Sequence, residues 1–196
     1  GTHLVTDIRV GAQSSQIGSM IASGSTLFLS ADDGMTGKEL WRTNAAGTGA
    51  ALVTDLNNRR DPFNPQVTLD SDPSGLIALG GGVVFTATTV DQADNRFFRL
   101  YYVDSVSSSP VVLMEMPVAS TINRIANFTD RVLFNIRFSD GSISELYTTD
   151  RTVAGTVPLR PAGPLHFLSS FSFALGNGEA FFFARLDPPG SPNNIW

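Results

Sequence analysis

Residues 26–56 read Thr-Leu-Phe-Leu-Ser-Ala-Asp-Asp-Gly-Met-Thr-Gly-Lys-Glu-Leu-Trp-Arg-Thr-Asn-Ala-Ala-Gly-Thr-Gly-Ala-Ala-Leu-Val-Thr-Asp-Leu. Short apolar runs at Leu27 to Ala31, Leu40 to Thr43 and Leu52 to Val53 are separated by clusters of Asp, Gly, Asn and Thr. Period-two runs rich in aromatic and branched residues and punctuated this way are strands joined by turns, and none is long enough to make a helix beyond one turn. Upstream, Met20 to Ser23 reads as one more strand, turned at Ser23-Gly24-Ser25. The stretch from Met20 to Leu56 therefore predicts a four-stranded antiparallel meander.

The same pattern recurs along the chain. Leu40-Trp41 returns as Leu100-Tyr101, Leu146-Tyr147 and Ile195-Trp196, and Leu27-Phe28 returns as Val84-Phe85, Leu133-Phe134 and Phe181-Phe182. Gly47-Thr48, followed by Leu-Val-Thr-Asp-Leu, has counterparts in Gly155-Thr156 and in Gly1-Thr2, the latter followed by Leu-Val-Thr-Asp-Ile. Trp41, Tyr101, Tyr147 and Trp196 stand 60, 46 and 49 residues apart, with 41 more around the joined ends. Meanders repeated at about 40 to 50 residues are the signature of propeller blades, which bury their faces only by packing around an axis.

The expected fold is thus all-β, a single β-propeller over residues 1–196 with four blades of four antiparallel strands. The blades fall at roughly 19–56, 76–114, 122–160 and 171–196 plus 1–8, the strand around Leu4 to Asp7 completing the last blade beside Asn193 to Trp196. A chain that opens and closes in mid-repeat also fits half of an eight-bladed ring or a segment of a longer array. Trp41, Tyr101, Tyr147 and Trp196, sharing one repeat position, are expected to wedge between blades.

The chain has 196 residues, 42% of them hydrophobic and 16% charged, which suits a packed core and excludes intrinsic disorder. Cysteine is absent, so disulfides, thiol nucleophiles and zinc–thiolate sites are excluded. A net charge of −5 argues against nucleic acid as a partner. No stretch approaches eighteen consecutive apolar residues, so no membrane insertion is expected, and the N-terminus lacks the basic and apolar regions of a signal peptide.

The residues Ala31-Asp32-Asp33-Gly34, Gly37, Glu39-Leu40-Trp41-Arg42-Thr43 and Ala46-Gly47-Thr48, with Leu52-Val53-Thr54-Asp55, resemble the bacterial ELWxxDGT repeat family, Asn44-Ala45 standing where the family has Asp-Gly. A partial match returns at Asp140-Gly141, Glu145-Leu146-Tyr147, Asp150 and Ala154-Gly155-Thr156. The resemblance implies a β-propeller-like fold in secreted or surface proteins and no common enzymatic activity. A second likeness, of Ser30, Asp32, Gly34 and Thr36 to the Asp-box hairpin of sialidase-type propellers, implies a turn in which Asp accepts backbone N–H groups while Gly supplies positive φ.

Two acids beside a glycine, Asp32 and Asp33, are the candidate metal ligands, and calcium is the hard cation such oxygens would take. Without the spacing of a calcium loop, the turn is the expected role and no cofactor is expected. His3 and His166 are far apart in sequence, and His166 falls in the Pro-rich loop from Pro161. Neither a nucleophile elbow, a P-loop nor a zinc-protease motif occurs, so catalysis is not signalled. The long connection after the first meander carries the candidate ligand-binding groups Asn57, Asn58, Arg59, Arg60 and Asp61, with His166 from the second loop, because such excursions on rigid scaffolds commonly hold function.

The expectation for function is a non-catalytic, extracellular or cell-surface propeller that binds a protein or glycan. One alternative is a subunit of a surface filament or sheath that self-assembles through open strand edges. Another is an Asp-box-type glycosidase.

Overall fold

The computed structural model describes residues 2–107, 109–128, 130–139 and 145–159, and beyond these the strand backbones at 165–166, 173–176, 179–186 and 193–195. All regular structure among them is β. The chain divides into two compact units, residues 1–118 and 119–196.

In the first unit, β1 (Met20–Ser23) and β2 (Thr26–Asp32) form the predicted hairpin, and Gly24 takes the left-handed φ of 59° that the turn demands. β3 (Lys38–Thr43) and β4 (Ala50–Thr54) continue the meander in sequence order. The second meander repeats that order in β5 (Ser74–Leu79), β6 (Gly82–Val90), β7 (Arg96–Val103) and β8 (Val111–Met116). Both sheets shift register at the same point: between Leu40 and Trp41 against β4, and between Leu100 and Tyr101 against β8. Each shift inserts one extra residue and adds local twist.

The two sheets share one core. Phe28, Leu40 and Val53 of the first cluster with Val83, Phe85, Ala87, Tyr101 and Val103 of the second, and Ile21 and Leu76 close its flank. Fully burying side chains of this size is worth about 1.5–3 kcal/mol each, so the shared face is what holds the unit together.

The cross-strand register shifts one repeat equivalence. Phe85 lies opposite Tyr101 and Phe134 opposite Tyr147, but Phe28 lies opposite Arg42, and Leu29 takes the place opposite Trp41. The first meander thus has an aliphatic–indole pair where the next two have stacked rings, with centroids 5.4 Å and 5.9 Å apart.

The expected N-terminal strand is not formed. Residues 4–7 lie outside every sheet, and Leu4 is 80% exposed. The chain is instead drawn toward β2: Asp32 N–H donates to the Ser15 carbonyl, Gly18 N–H to the Ser30 carbonyl, and the Arg9 guanidinium pairs with Asp32. Arg9 and Ser15 to Ser19 are committed to β2, and among the described residues the segment before them pairs with no strand.

In the second unit, β9 (Thr121–Asn127), β10 (Val132–Arg137), β11 (Glu145–Thr149) and β12 (Val157–Pro158) form a third antiparallel meander. A fourth sheet is built around β15 (Glu179–Leu186), which pairs with β13 (Leu165–His166), β14 (Phe173–Gly176) and β16 (Asn193–Ile195). It begins earlier than the expected 171. His166, expected in a loop, is a strand residue paired with Arg185, because period-two pairing persists despite the prolines before it.

Candidate functional site

The connection from β4 to β5 is long but strongly braced. Asp61 N–H donates to the Val67 carbonyl at 3.1 Å, Val67 N–H to the Asn64 carbonyl at 3.1 Å, and Leu69 N–H to the Arg59 carbonyl at 2.8 Å. Arg60 and Thr68 form a β-bridge, and Thr68 N–H reaches the Met35 carbonyl at 2.9 Å. Inside the bend, Phe63 N–H donates to Asp61 Oδ1 at 2.8 Å. A loop satisfied by its own backbone and aspartate turns is held in place before any ligand arrives.

The predicted binding residues have separate positions within this connection. Asn57 is buried, donates from Nδ2 to the Asp70 carbonyl and accepts Val90 N–H at Oδ1, so its amide ties the two ends of the loop together and the loop to β6. Asn58 is exposed. Arg59 donates to the Asp91 carbonyl and pairs with Asp94, tying the loop to the β6–β7 turn. Arg60 is exposed and donates to the Gln66 carbonyl at 3.3 Å. Asp61 lines an open cavity. His166 belongs to the second unit, and its side chain lies outside the described residues, as does all of Trp196.

The candidate metal ligands make a turn. Asp32 Oδ1 accepts Gly34 N–H at 2.6 Å while Oδ2 takes Arg9, and Asp33 Oδ1 accepts Met35 N–H, Thr36 N–H and the Thr36 hydroxyl. Gly34 has φ of 83°. Of the repeat aromatics, Tyr101 and Tyr147 are buried, and Trp41 is half-buried with an indole N–H that has no partner among the described residues.

Glu39 is fully buried and accepts Ser71 N–H, the Ser71 hydroxyl and Leu56 N–H. Burial pushes its carboxyl up to about 8 despite those donors, with the nearby Asp55 adding to the rise. Desolvation also raises Asp55, which accepts the Thr68 hydroxyl at one oxygen and has no hydrogen-bond partner among the described residues at the other. Asp72 is raised by burial and by its neighbour Asp70.

The sequence reading missed the cavity itself. It has a volume of about 260 Å³ and is lined by Arg9, Asp32, Asp61, Asn64 and Asp70 over Gly34 and Gly37. Between Asp61 and Asn64 stands Phe63, 96% exposed. A lone aromatic inside an Asn-, Asp- and Pro-rich excursion was the available signal, whereas Arg9 and Asp70 are too far from Asp61 in sequence to be grouped with it. A second cavity of about 380 Å³ includes Arg42, which is already committed to the carbonyls of Asp104, Val106 and Ser107. Compared with protein-family models and with curated proteins, the chain gives no match.

Proposed function

We propose that this chain is a non-catalytic recognition module of the extracellular or cell-surface kind, built as a four-bladed β-propeller and binding a glycan or protein through its first long connection. The observation that carries the reading is the braced 57–70 loop, which projects Asp61, Asn64 and Phe63 from a rigid pair of sheets rather than folding them into the core. Three successive meanders of four strands and the matching register shifts at Leu40/Trp41 and Leu100/Tyr101 support the blade assignment. Binding through preformed loops on a sheet scaffold requires little reorganisation, which favours affinity without a large buried area.

The experiment is a screen of the full chain against a glycan array and a panel of purified extracellular proteins. Saturable binding to a member of either class is expected, weakened at least tenfold in the triple variant Asn58→Ala, Arg60→Ala, Asp61→Ala at an unchanged melting temperature. Binding that survives the triple variant, absence of binding to both classes, or turnover of a fluorogenic glycoside overturns the reading.

A further inference from the structure

One side chain holds both ends of the connection between β4 and β5. Glu39 accepts Leu56 N–H at 3.2 Å just before the connection begins, and Ser71 N–H at 3.1 Å together with the Ser71 hydroxyl where it ends. Glu39 has no exposure, and among the described residues no cation pairs with it. A carboxylate buried without a cation costs far more than the neutral acid, so the closed connection favours a proton on Glu39.

The charges around the carboxyl do not offset that cost. Asp55, at the end of β4, acts on Glu39 directly and repels a second negative charge, while Asp33 in the β2–β3 turn and Arg60 in the connection act on Asp55 with opposite signs. Beside Ser71 stand Asp70 and Asp72, and Lys38 and Arg96 act on Asp72. From the second sheet, the uncharged Thr88 meets Ser71, its N–H donating to the Ser71 carbonyl at 2.8 Å. Ser71 can serve either state of Glu39. Its hydroxyl reaches Glu39 Oε2 and, at 3.5 Å, the Lys38 carbonyl. It donates to a carboxylate; when Glu39 carries the proton, Oε2–H donates to Ser71 Oγ and the hydroxyl turns to Lys38.

The remaining ties of the connection are polar. Asn57 holds Val90, Thr68 N–H reaches Met35, Arg59 holds Asp91 and Asp94, and Ser71 and Asp72 N–H share the Lys38 carbonyl. The bonds from Asp61 to Val67 and from Leu69 to Arg59 lie within the connection and survive if it swings as one piece, and Pro62 to Gln66 are exposed already. Opening therefore exchanges polar ties for water and uncovers little apolar surface, which makes it cheaper than global unfolding.

We propose that Glu39 is a proton-operated latch: the connection lies closed while Glu39 is protonated, and loss of that proton releases it locally at Leu56 and Ser71. The carboxylate that forms is hydrated in the open state. Burial lifts the Glu39 carboxyl from 4.5 to about 8, so between pH 5 and 8 the opening equilibrium grows close to tenfold per pH unit. The bearing of the latch on binding rests on the recognition-module reading above, since the segment that swings carries Asn58, Arg60 and Asp61.

The test is native-state hydrogen exchange of the full chain, followed by ¹⁵N NMR from pH 5 to 8 at several low urea concentrations and corrected for intrinsic rates, with a ¹³C titration of the Glu39 carboxyl. The Leu56 and Ser71 amides are expected to open close to tenfold more per pH unit with little urea dependence. Those of Phe85 and Leu100 should stay at least tenfold better protected and open with a steep urea dependence. The Glu39 resonance should titrate near pH 8, and Glu39→Gln should flatten the pH dependence at Leu56 and Ser71 to less than threefold per unit. A carboxyl that titrates below pH 6, loop amides that match the core in protection and urea slope, or a pH dependence that survives Glu39→Gln overturns the proposal. The parental chain decides the first two points even if the Gln variant does not fold. Exchange needs no ligand, so the latch and the recognition reading fail separately: with the latch found and neither glycan nor protein bound, the recognition reading alone falls.

Discussion

The carboxyl of Glu39, in the third strand of the first sheet, accepts both the backbone N–H and the hydroxyl of Ser71, the residue that leads into the second sheet three positions later. One buried side chain thereby fastens the start of the second meander to the end of the β2–β3 turn. Ser71 itself is fully buried, and its amide is shared between the Glu39 carboxyl at 3.1 Å and the Lys38 carbonyl at 3.2 Å.

That relationship makes stability depend on pH in a defined direction. Burial raises the Glu39 carboxyl from 4.5 to about 8 and also raises Asp55 and Asp72, so the folded chain holds protons that the unfolded chain releases. The Glu39 contribution is fully present below about pH 4 and is lost as pH rises toward 8, with a slope of up to about 1.4 kcal/mol per pH unit, and Asp55 and Asp72 act in the same direction. The turn aspartates act oppositely: hydrogen bonds from Asn95 hold Asp91 below the ordinary range, those from Ser107 and Val106 do the same for Asp104, and their contribution is lost on acidification. Urea melts between pH 5 and 8 should show stability falling with pH, and Glu39→Gln should flatten the fall. A rising profile, or a Gln variant with the parental slope, contradicts this account.

Asn57 supports the same junction from the other side. Its removal as Asn57→Ala leaves the Asp70 carbonyl and the Val90 N–H short of partners at a buried site, which costs about 1–3 kcal/mol. Asn57→Asp should restore the Val90 bond but set a carboxylate against the Asp70 carbonyl, and so recover little. Chemical denaturation of both variants measures this; loss of binding without loss of stability would instead place Asn57 in a ligand contact.

The first meander was legible because its turns carry their own chemistry: Gly24 and the Asp32-Asp33-Gly34 cluster ended strands where the structure ends them. Asn57 shows what was not legible. A polar residue in a polar loop reads as exposed, and only the tertiary return of Asp70 and Val90 makes it a buried connector. The same applies to the cavity, since Arg9, Asp61 and Asp70 come to line it through backbone bonds from Thr68 to Met35 and from Asp32 to Ser15 that no local period encodes. His166 was misplaced because proline density outweighed a two-residue strand.

The stacked pair Phe85 and Tyr101 should be energetically coupled where Leu29 and Trp41 are not. Phe85 has no exposure and Tyr101 only 3%, and their rings lie 20° from parallel. Phe85→Ala is expected to cost about 3–5 kcal/mol. In a double-mutant cycle with Tyr101, about 0.5–1.5 kcal/mol of coupling beyond area loss is expected from ring stacking. The Leu29/Trp41 cycle lacks that stacking contribution, so equal coupling in the two cycles would remove the distinction between the meanders.

Gly37 and Gly47 separate two reasons for a glycine. Both take the left-handed conformation, at φ of 69° and 67°, so alanine at either carries a conformational penalty of about 1–2 kcal/mol. At Gly47 nothing lies within 4 Å of the added Cβ, whereas at Gly37 it would meet Asp70 Oδ1 at 2.7 Å and the Leu69 backbone carbon at 2.9 Å. Gly47→Ala should therefore lose only that penalty. Gly37→Ala should lose more and also displace the Asp70 carboxylate from Lys38 N–H, visible as a shifted Lys38 amide resonance. If the two variants melt alike and the Lys38 resonance stays in place, the 69–70 backbone does not press on Gly37, and the floor of the cavity has more room than the contacts imply.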